Sequence, residues 1–325
     1  MALLPVTCRP AGAQALGPRP EVVVYSGRNE SLAGPLFERL EEELGLEIKV
    51  RYGGTAELTA TLMEEGAATP ADLFLSQDAA ALGALAEAEL LTALPAATLE
   101  RVAAEFRSPE GDWVGLSGRV RCVVYNTERI RPEELPESLE QVVEPRFRGR
   151  FGIAPTNSSF QAHLAVFNTV AGRAALEQLL SGLDANEPGR YPKNGAIVEA
   201  VIAGEIDFGL VNHYYLLRAL AEQPAAPAAN FFMPAAGVSS FVNLSGVGML
   251  RSTPAAQALV DALLAEDAQR YFAEETFEYP LSAGVAPAPG LPPLGDLPAR
   301  QLPFDEVAAK LEETLELIAA SGLLG

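Results

Sequence analysis

Residues 21–52 read EVVVYSGRNESLAGPLFERLEEELGLEIKVRY. The apolar run Glu21–Tyr25 is a buried strand, Leu32–Leu44 has helical spacing, and Glu47–Tyr52 is a second strand. A strand, a helix and a strand in so short a span make a βαβ unit, which implies a parallel sheet. The alternation continues: Glu57–Glu65 is helical, Ala71–Leu75 is a third strand, and Asp78–Leu90 is an alanine-rich helix. A doubly wound sheet of this kind binds ligands at the carboxyl ends of its strands. Here those ends carry Tyr25-Ser-Gly-Arg28, Tyr52-Gly-Gly-Thr55 and Ser76-Gln77-Asp78, one wall of a cleft.

The chain has 325 residues, too long for one ordinary core and suited to two. Arg119–Tyr125 is a long apolar strand followed by polar loops, so we place a first crossing between lobes at 119–126, with the first lobe beginning at 21–118. The alternation then repeats. A strand near Gly149–Ile153, a helix over Ser159–Val170, another near Gly195–Ile202 and the strand Ile206–Val211 define a second α/β lobe over 127–238. The expected return crossing is 239–250. Residues 251–325 then hold the completion of the first lobe, with helices at Pro254–Ala265 and Asp267–Glu275, an irregular Pro- and Gly-rich strap over 280–303, and an amphipathic helix Phe304–Ala320.

Forty-three acidic against twenty-three basic residues leave a formal charge of −20, which repels nucleic acid and anionic membrane surfaces and reads as a solvated, acidic exterior. No apolar run reaches the roughly 18 to 20 residues of a membrane helix. At 1–20, the apolar Met1–Val6 and the small-x-small triplet Ala13-Gln14-Ala15 have the form of a signal-peptide remnant or a disordered N-terminus, which implies export to the periplasm. Cys8 would offer a membrane tether, although Pro5-Val6-Thr7 is a poor match to the small residues expected before a lipidated cysteine. Cys122, within Val120–Val124, reads as a buried small side chain, and two such cysteines make neither a disulfide framework nor a zinc site.

The chemistry concentrates in Asp207-Phe-Gly-Leu-Val-Asn-His-Tyr-Tyr-Leu-Leu-Arg218. A strand stops at Asn212, a good N-cap residue, and turns into a helix whose first turn holds Tyr214 and Tyr215. Neighbours in a first helical turn diverge by about 100° and can both reach one ion near the axis. A phenol has a pKa of about 10, so only a strongly Lewis-acidic cation ionises two of them at neutral pH, and hard oxygen ligands suit Fe(III). Such a pair alone is more often packing than ligation.

The surrounding string is more specific. Ala203-Gly-Glu-Ile-Asp207 followed by Val211-Asn-His-Tyr-Tyr215 resembles the paired-tyrosine motif of the periplasmic ferric-iron-binding proteins, the FbpA family. The likeness runs from 21 to 290. It includes Val24-Tyr-Ser-Gly-Arg28, Glu64-Glu-Gly66 with Pro70-Ala-Asp-Leu-Phe74, Ser117-Gly-Arg-Val-Arg121 with Val124-Tyr-Asn126, Ala154-Pro-Thr-Asn157 and Glu274-Glu-Thr-Phe-Glu-Tyr-Pro280.

The resemblance implies a two-lobed type II periplasmic binding protein, each lobe a doubly wound mixed sheet flanked by helices. Fe(III) would sit in the interlobe cleft with a synergistic anion, carbonate or bicarbonate or else phosphate, and a monomer would deliver it to the ABC transporter permease in the inner membrane. Asn194 and Asn212 match positions that help bind the anion in related proteins. Asn157, Ser158 and Ser159 precede a helix and would present N–H groups and hydroxyls to an anion, or simply cap that helix. Arg28, Arg119 and Arg121 are candidate cationic partners of that anion, or else hinge salt bridges.

Three positions depart from the family pattern. Asn29 stands where many relatives carry a histidine, Gln77 where some carry a glutamate, and Ser159 or its neighbour where a subgroup carries a further tyrosine. His213, at the start of the helix, reads as pointing into the lobe or to solvent. Something on the first wall must still touch the cargo if binding is to drive closure. Tyr52, followed by Gly53-Gly54, is the candidate third phenolate, its ring swinging over the cleft. The rival solutes for this fold are polyamine, thiamine, sulfate or molybdate, with the tyrosines as an aromatic wall. A hydrolase using Ser158 or Cys122 lacks a convincing partner set, since the chain holds only His163 and His213.

Overall fold

Strand β1 (Glu21–Ser26) pairs in parallel with β2 (Glu47–Tyr52), from Glu21 opposite Glu47 to Ser26 opposite Tyr52, and the linking helix α1 (Glu30–Leu44) covers the sheet. Helix α1 buries Ala33, Leu36, Phe37 and Leu40, the spacing of one helical face. It starts at Asn29, whose side-chain oxygen accepts from Ser31 N, and ends at Gly45, whose left-handed φ of 63° lets the chain turn directly into β2. In this computed structural model residues 19–235, 237–297, 299–300 and 304–324 are described. The expected signal-peptide remnant, with Cys8, and part of the expected strap therefore lie outside the described residues, at 1–18 and at 298 and 301–303.

Helix α2 (Thr55–Glu65) leads to β3 (Leu73–Ser76), which pairs in parallel with β1, and α3 (Ala79–Glu87) and the short α4 (Ala96–Leu99) follow. Strand β4 (Trp113–Asn126) is 14 residues long and buried throughout. The second lobe holds β5 (Phe151–Ile153), α5 (Ser158–Ala171), α6 (Arg173–Ala185), β6 (Gly189–Arg190), α7 (Asn194–Ile202), β7 (Phe208–Asn212), α8 (Tyr214–Glu222) and β8 (Ala228–Phe231). Strand β9 (Gly237–Met249) returns, followed by α9 (Pro254–Leu263), α10 (Glu266–Glu274), β10 (Tyr279–Pro280), β11 (Ala299–Arg300), α11 (Phe304–Ala309) and α12 (Leu311–Ala320). The strand order is β2-β1-β3-β9-β4-β7-β5-β6, a mixed open sheet with helices on both sides.

Two strands belong to both halves. β4 pairs antiparallel with β9 from Trp113 to Val120, then with β7 from Arg121 to Tyr125. Along β9, Val238 and Phe241 pack into the second core and Val242, Leu244, Val247 and Met249 into the first. The first core is built on β1, β3, α1, α9 and α10; the second sheet has α5 and α6 on one face and α7 and α8 on the other.

Three features depart from the sequence reading. Helix α6 is an unpredicted element, although Leu176, Leu179, Leu180 and Leu183 have the spacing of an amphipathic helix and are all buried. The expected helix 304–320 is broken at Lys310 into α11 and α12. These do not complete the first lobe: Val307, Leu317, Ile318 and Leu323 pack into the second core, with α12 against α5 and α6, while α11 also touches α3 of the first lobe. No helix among the described residues is long and apolar enough to cross a membrane.

His163, in α5, is buried and donates from Nε2 to the Val238 carbonyl oxygen at 2.7 Å. Burial, with the nearby Arg121 charge adding to it, brings its pKa down to about 3, so the folded protein holds it neutral while the unfolded chain titrates it near 6.5. A depressed pKa contributes stability that is full above about 6.5 and is lost as pH falls towards 3. In urea unfolding at pH 7 and pH 5, the stability difference between wild type and His163→Gln should narrow by about 2 kcal/mol at the lower pH. A pH-independent difference would refute a neutral buried histidine.

Candidate functional site

Strand β7 delivers the tyrosines. Its last residue, Asn212, lies opposite Arg121 in the β4 ladder, and the chain turns into α8 at His213. Asn212 does not cap α8 with its side chain: its Oδ1 accepts from Arg121 Nη1 at 3.3 Å. Tyr214 is 8 % exposed and Tyr215 half-buried, their rings stacked with centroids 4.4 Å apart and planes 27° apart. Burial, then the neighbouring Tyr214, pushes the Tyr215 phenol above its usual pKa, while the Arg218 and Arg119 charges pull the other way. Arg218, one turn along α8, lies 4.8 Å from the Tyr214 ring centroid.

Both tyrosines line a cavity of about 580 Å³ between the lobes. Its first wall is Gly27, Gly54, Thr55, Gln77 and Asp78, drawn from the ends of β1, β2 and β3. These loops approach closely, since a Cβ on Gly27 would fall 2.2 Å from Thr55 Oγ1. The opposite wall is Asn157, Ser158 and Ser159 at the start of α5, with Asn212 and the tyrosines. Val307, Ala308, Leu311 and Leu315, from α11 and α12, form an apolar side that the sequence reading did not foresee. Among the described residues lining the cavity, Arg119 is the only basic side chain and Asp78 the only carboxylate, and Asp78 caps α3 through Ala81 N.

The candidate arginines separate. Arg119 reaches the cavity and donates to Gln77 through both terminal nitrogens, to Oε1 at 2.8 Å and to the carbonyl oxygen. Arg121 is buried one layer behind, donating to Ser159 Oγ, Asn194 Oδ1, Asn212 Oδ1 and the Leu210 carbonyl. Burial pushes its pKa down to about 10, so it stays charged at neutral pH. Arg28 does not line the cavity. It is 1 % exposed and donates to Glu278 at 2.9 Å and to Ser245 Oγ at 2.7 Å. Burial would raise the Glu278 carboxyl, but Arg28, then Arg119, outweigh it and hold the group below the usual carboxylate range. Asn157 acts as the cap of α5, its Oδ1 accepting from Ser159 N and Oγ, and Asn194 Nδ2 joins it at 3.0 Å.

Tyr52 is also absent from the cavity, against expectation. Ile48, Val50 and Tyr52 are the half-buried alternate residues of β2 and share the face under α1, where the Tyr52 hydroxyl lies 3.5 Å from where a Gly34 Cβ would stand. Strand alternation and the space above Gly34 fix the ring there, so the following glycines do not swing it over the cleft. Burial, then Glu30 and Glu38, push the Tyr52 phenol up, which disfavours a phenolate at that place. Cys122 is buried, its thiol pushed up to about 12 by burial, and is no nucleophile. Among the described residues no three or more His, Cys, Asp or Glu side chains gather to hold a metal, so a cation in this cavity would meet phenol, amide and hydroxyl oxygens and the single carboxylate of Asp78.

Known proteins share this fold. Residues 68–296 match the family described as bacterial extracellular solute-binding protein. The Fe(3+)-binding periplasmic protein of Serratia marcescens is 30% identical, covering 96% of this chain and 94% of its own. Iron-bound HitA from Pseudomonas aeruginosa superposes with a TM-score of 0.84 at 29% identity, covering 93% of this chain and 99% of its own. The Trichodesmium protein in complex with iron and citrate ligands does so with a TM-score of 0.81, also at 29% identity and over the same shares. The fold is therefore that of the type II periplasmic binding proteins.

Arg121→Met would leave the Asn194, Asn212 and Leu210 oxygens buried without their shared donor. It should cost about 3 kcal/mol in urea unfolding. A variant as stable as wild type would mean that the network under the second wall is not held by this side chain.

Proposed function

The chain belongs to the bacterial extracellular solute-binding proteins, and on that premise we propose that it captures Fe(III) in the periplasm through the phenolate oxygens of Tyr214 and Tyr215. An ABC transporter permease in the inner membrane then receives the iron. The observation that carries this reading is the pair of stacked tyrosine rings, neighbours in the first turn of α8, at the wall of the interlobe cavity. Two phenol oxygens on adjacent stacked rings, each able to lose a proton, can form a hard chelating edge. Burial raises the pKa of Tyr215, so a strongly Lewis-acidic cation is needed to displace its proton.

The remaining coordination comes from an oxyanion, carbonate or bicarbonate in the first instance. Arg119 supplies the positive charge facing it, and the Ser158 and Ser159 end of α5 supplies donors. Asn212 and Asn194, held by Arg121, keep that end of the site in place. Arg28 is paired to Glu278 and takes no part. With Gln77 in place of a carboxylate and Tyr52 under α1, the first lobe contributes through Gln77-held Arg119 and the anion it faces. An organic cation is a poor alternative occupant, since Arg119 and Arg218 already place positive charge beside the aromatic pair.

Either Tyr214→Phe or Tyr215→Phe should lower Fe(III) affinity about a hundredfold or more and remove much of the visible phenolate-to-iron band, with the circular dichroism spectrum retained. Unchanged affinity in both variants would reject the assignment. Because cation binding must displace phenol protons, apparent affinity should fall on the order of tenfold per proton per pH unit as pH is lowered from 8 to 6. A flat profile in metal titrations would exclude phenolate ligation.

A further inference from the structure

His213 sits between the tyrosine pair and the junction of the lobes, and its contacts are unusual for a residue at a helix start. It is fully buried. Its Nδ1 accepts from the Val120 backbone N–H at 3.1 Å, and its Nε2 lies 2.8 Å from the Phe277 carbonyl oxygen. Since a backbone N–H can only donate and a carbonyl can only accept, the proton is on Nε2, and both edges of a neutral imidazole are used. The main chain of His213 is held as well: its N–H donates to the Val120 carbonyl at 3.0 Å, and its carbonyl accepts from Asn230 Nδ2 at 2.8 Å.

Val120 and Phe277 lie where the two lobes join. Val120 is the last residue of β4 paired with β9, and Arg121 the first paired with β7, so the Val120 N–H sits where the strand changes lobes. Phe277 belongs to the first lobe, between α10 and β10, and β10 pairs with β4 at Ser117 and Gly118. Phe277 also has a φ of 58°, a left-handed conformation that costs energy in a non-glycine residue and is kept where surrounding contacts enforce it. Its neighbour Glu278 is locked to Arg28, and the Tyr279 ring lies 4.9 Å from the imidazole. The side next to the tyrosines is equally tight, with the His213 ring edge-on to Tyr214 at 5.8 Å.

We propose that His213 is a positioning residue that couples occupancy of the tyrosine pair to the angle between the lobes, through its hydrogen bond to Phe277. A ligand drives closure only through interactions that differ between open and closed states. The phenols belong to the second lobe, so their capture of a cation changes the first lobe only through something that connects the two. His213 is the residue immediately before Tyr214, and it is bonded to the first lobe at Phe277 and to the hinge strand at Val120. A shift of the first turn of α8 as the phenols close on the metal is thus passed to the loop carrying Glu278 and β10. This rests on the tyrosine reading of the site.

The test compares wild type with His213→Leu, His213→Asn and His213→Gln, each without metal and with Fe(III) supplied as its nitrilotriacetate complex in bicarbonate buffer. Asn places an oxygen where Nδ1 stands and keeps the Val120 bond; Gln places an amide nitrogen where Nε2 stands and keeps the Phe277 bond. The readouts are the phenolate-to-iron band, the iron-induced decrease in radius of gyration by X-ray scattering, and the rate of iron release to excess EDTA. We expect Leu and Asn to keep the band but lose most of the shape change and release iron about tenfold faster, while Gln closes and releases like wild type. Should Leu fail to fold, Asn against Gln decides, and equal behaviour of those two overturns the proposal. Variants with a wild-type shape change and release rate overturn it too. A wild-type protein without the band instead overturns the tyrosine reading.

Discussion

Every N–H and C=O of a buried strand needs a partner, and β4 meets that requirement by changing partners midway. Up to Val120 the ladder runs to β9, and from Arg121 it runs to β7. That exchange joins two cores without a covalent linker of loops, and it puts the residues around the exchange at the bottom of the cleft. Arg119 and Arg121 stand on either side of Val120 and reach different partners, Gln77 on the first wall and the Asn194–Asn212–Ser159 group on the second. The architecture thus fixes where positive charge can face the cavity.

This local charge is opposite to that of the molecule. A chain of formal charge −20 keeps three arginines almost wholly buried near its centre. Arg28 is neutralised by Glu278, whereas Arg121 is surrounded by neutral acceptors and Arg119 by the Gln77 amide and carbonyl. An uncompensated buried guanidinium is costly unless its hydrogen bonds are made, which explains the number of oxygens gathered on Arg121. The same arrangement leaves the cavity attractive to an oxyanion even though the exterior is acidic. Net charge therefore describes the solvated surface, and the site follows the few residues at the strand exchange.

The cavity is enclosed from a third direction by α11 and α12. Their apolar residues Val307, Leu317 and Ile318 are anchored in the second core, while Leu311 and Leu315, 37% and 38% exposed, face the cavity. Contact of α11 with α3 means that the tail spans from one lobe to the other. The tyrosine pair, the capped start of α5 and this apolar side together leave a pocket that is polar at one end and apolar at the other.

Periodicity in the sequence was enough for the α/β class, because strand and helix faces bury at intervals of 2 and about 3.6 residues whatever they pack against. The βαβ opening of 21–52 and the strand-to-helix turn before Tyr214 follow from such local patterns, and even the unpredicted α6 carries its signal in Leu176, Leu179, Leu180 and Leu183. That the two tyrosines stand side by side was legible because both residues share one short segment. Which distant residues face them was not. Tyr52 has the residue type and the glycines for a cleft ligand, yet the alternation of β2 and the gap at Gly34 send it under α1. Arg28 and Arg119 look alike in sequence, and only the placement of Glu278 and Gln77 separates a buried ion pair from a cavity-facing cation. Likewise His213 reads as an incidental neighbour of the tyrosines until the strand exchange at Val120 and the Phe277 carbonyl close on its two nitrogens. Local sequence sets conformation through backbone and periodic burial; partners separated by tens to hundreds of residues are set only when the whole sheet has chosen its order.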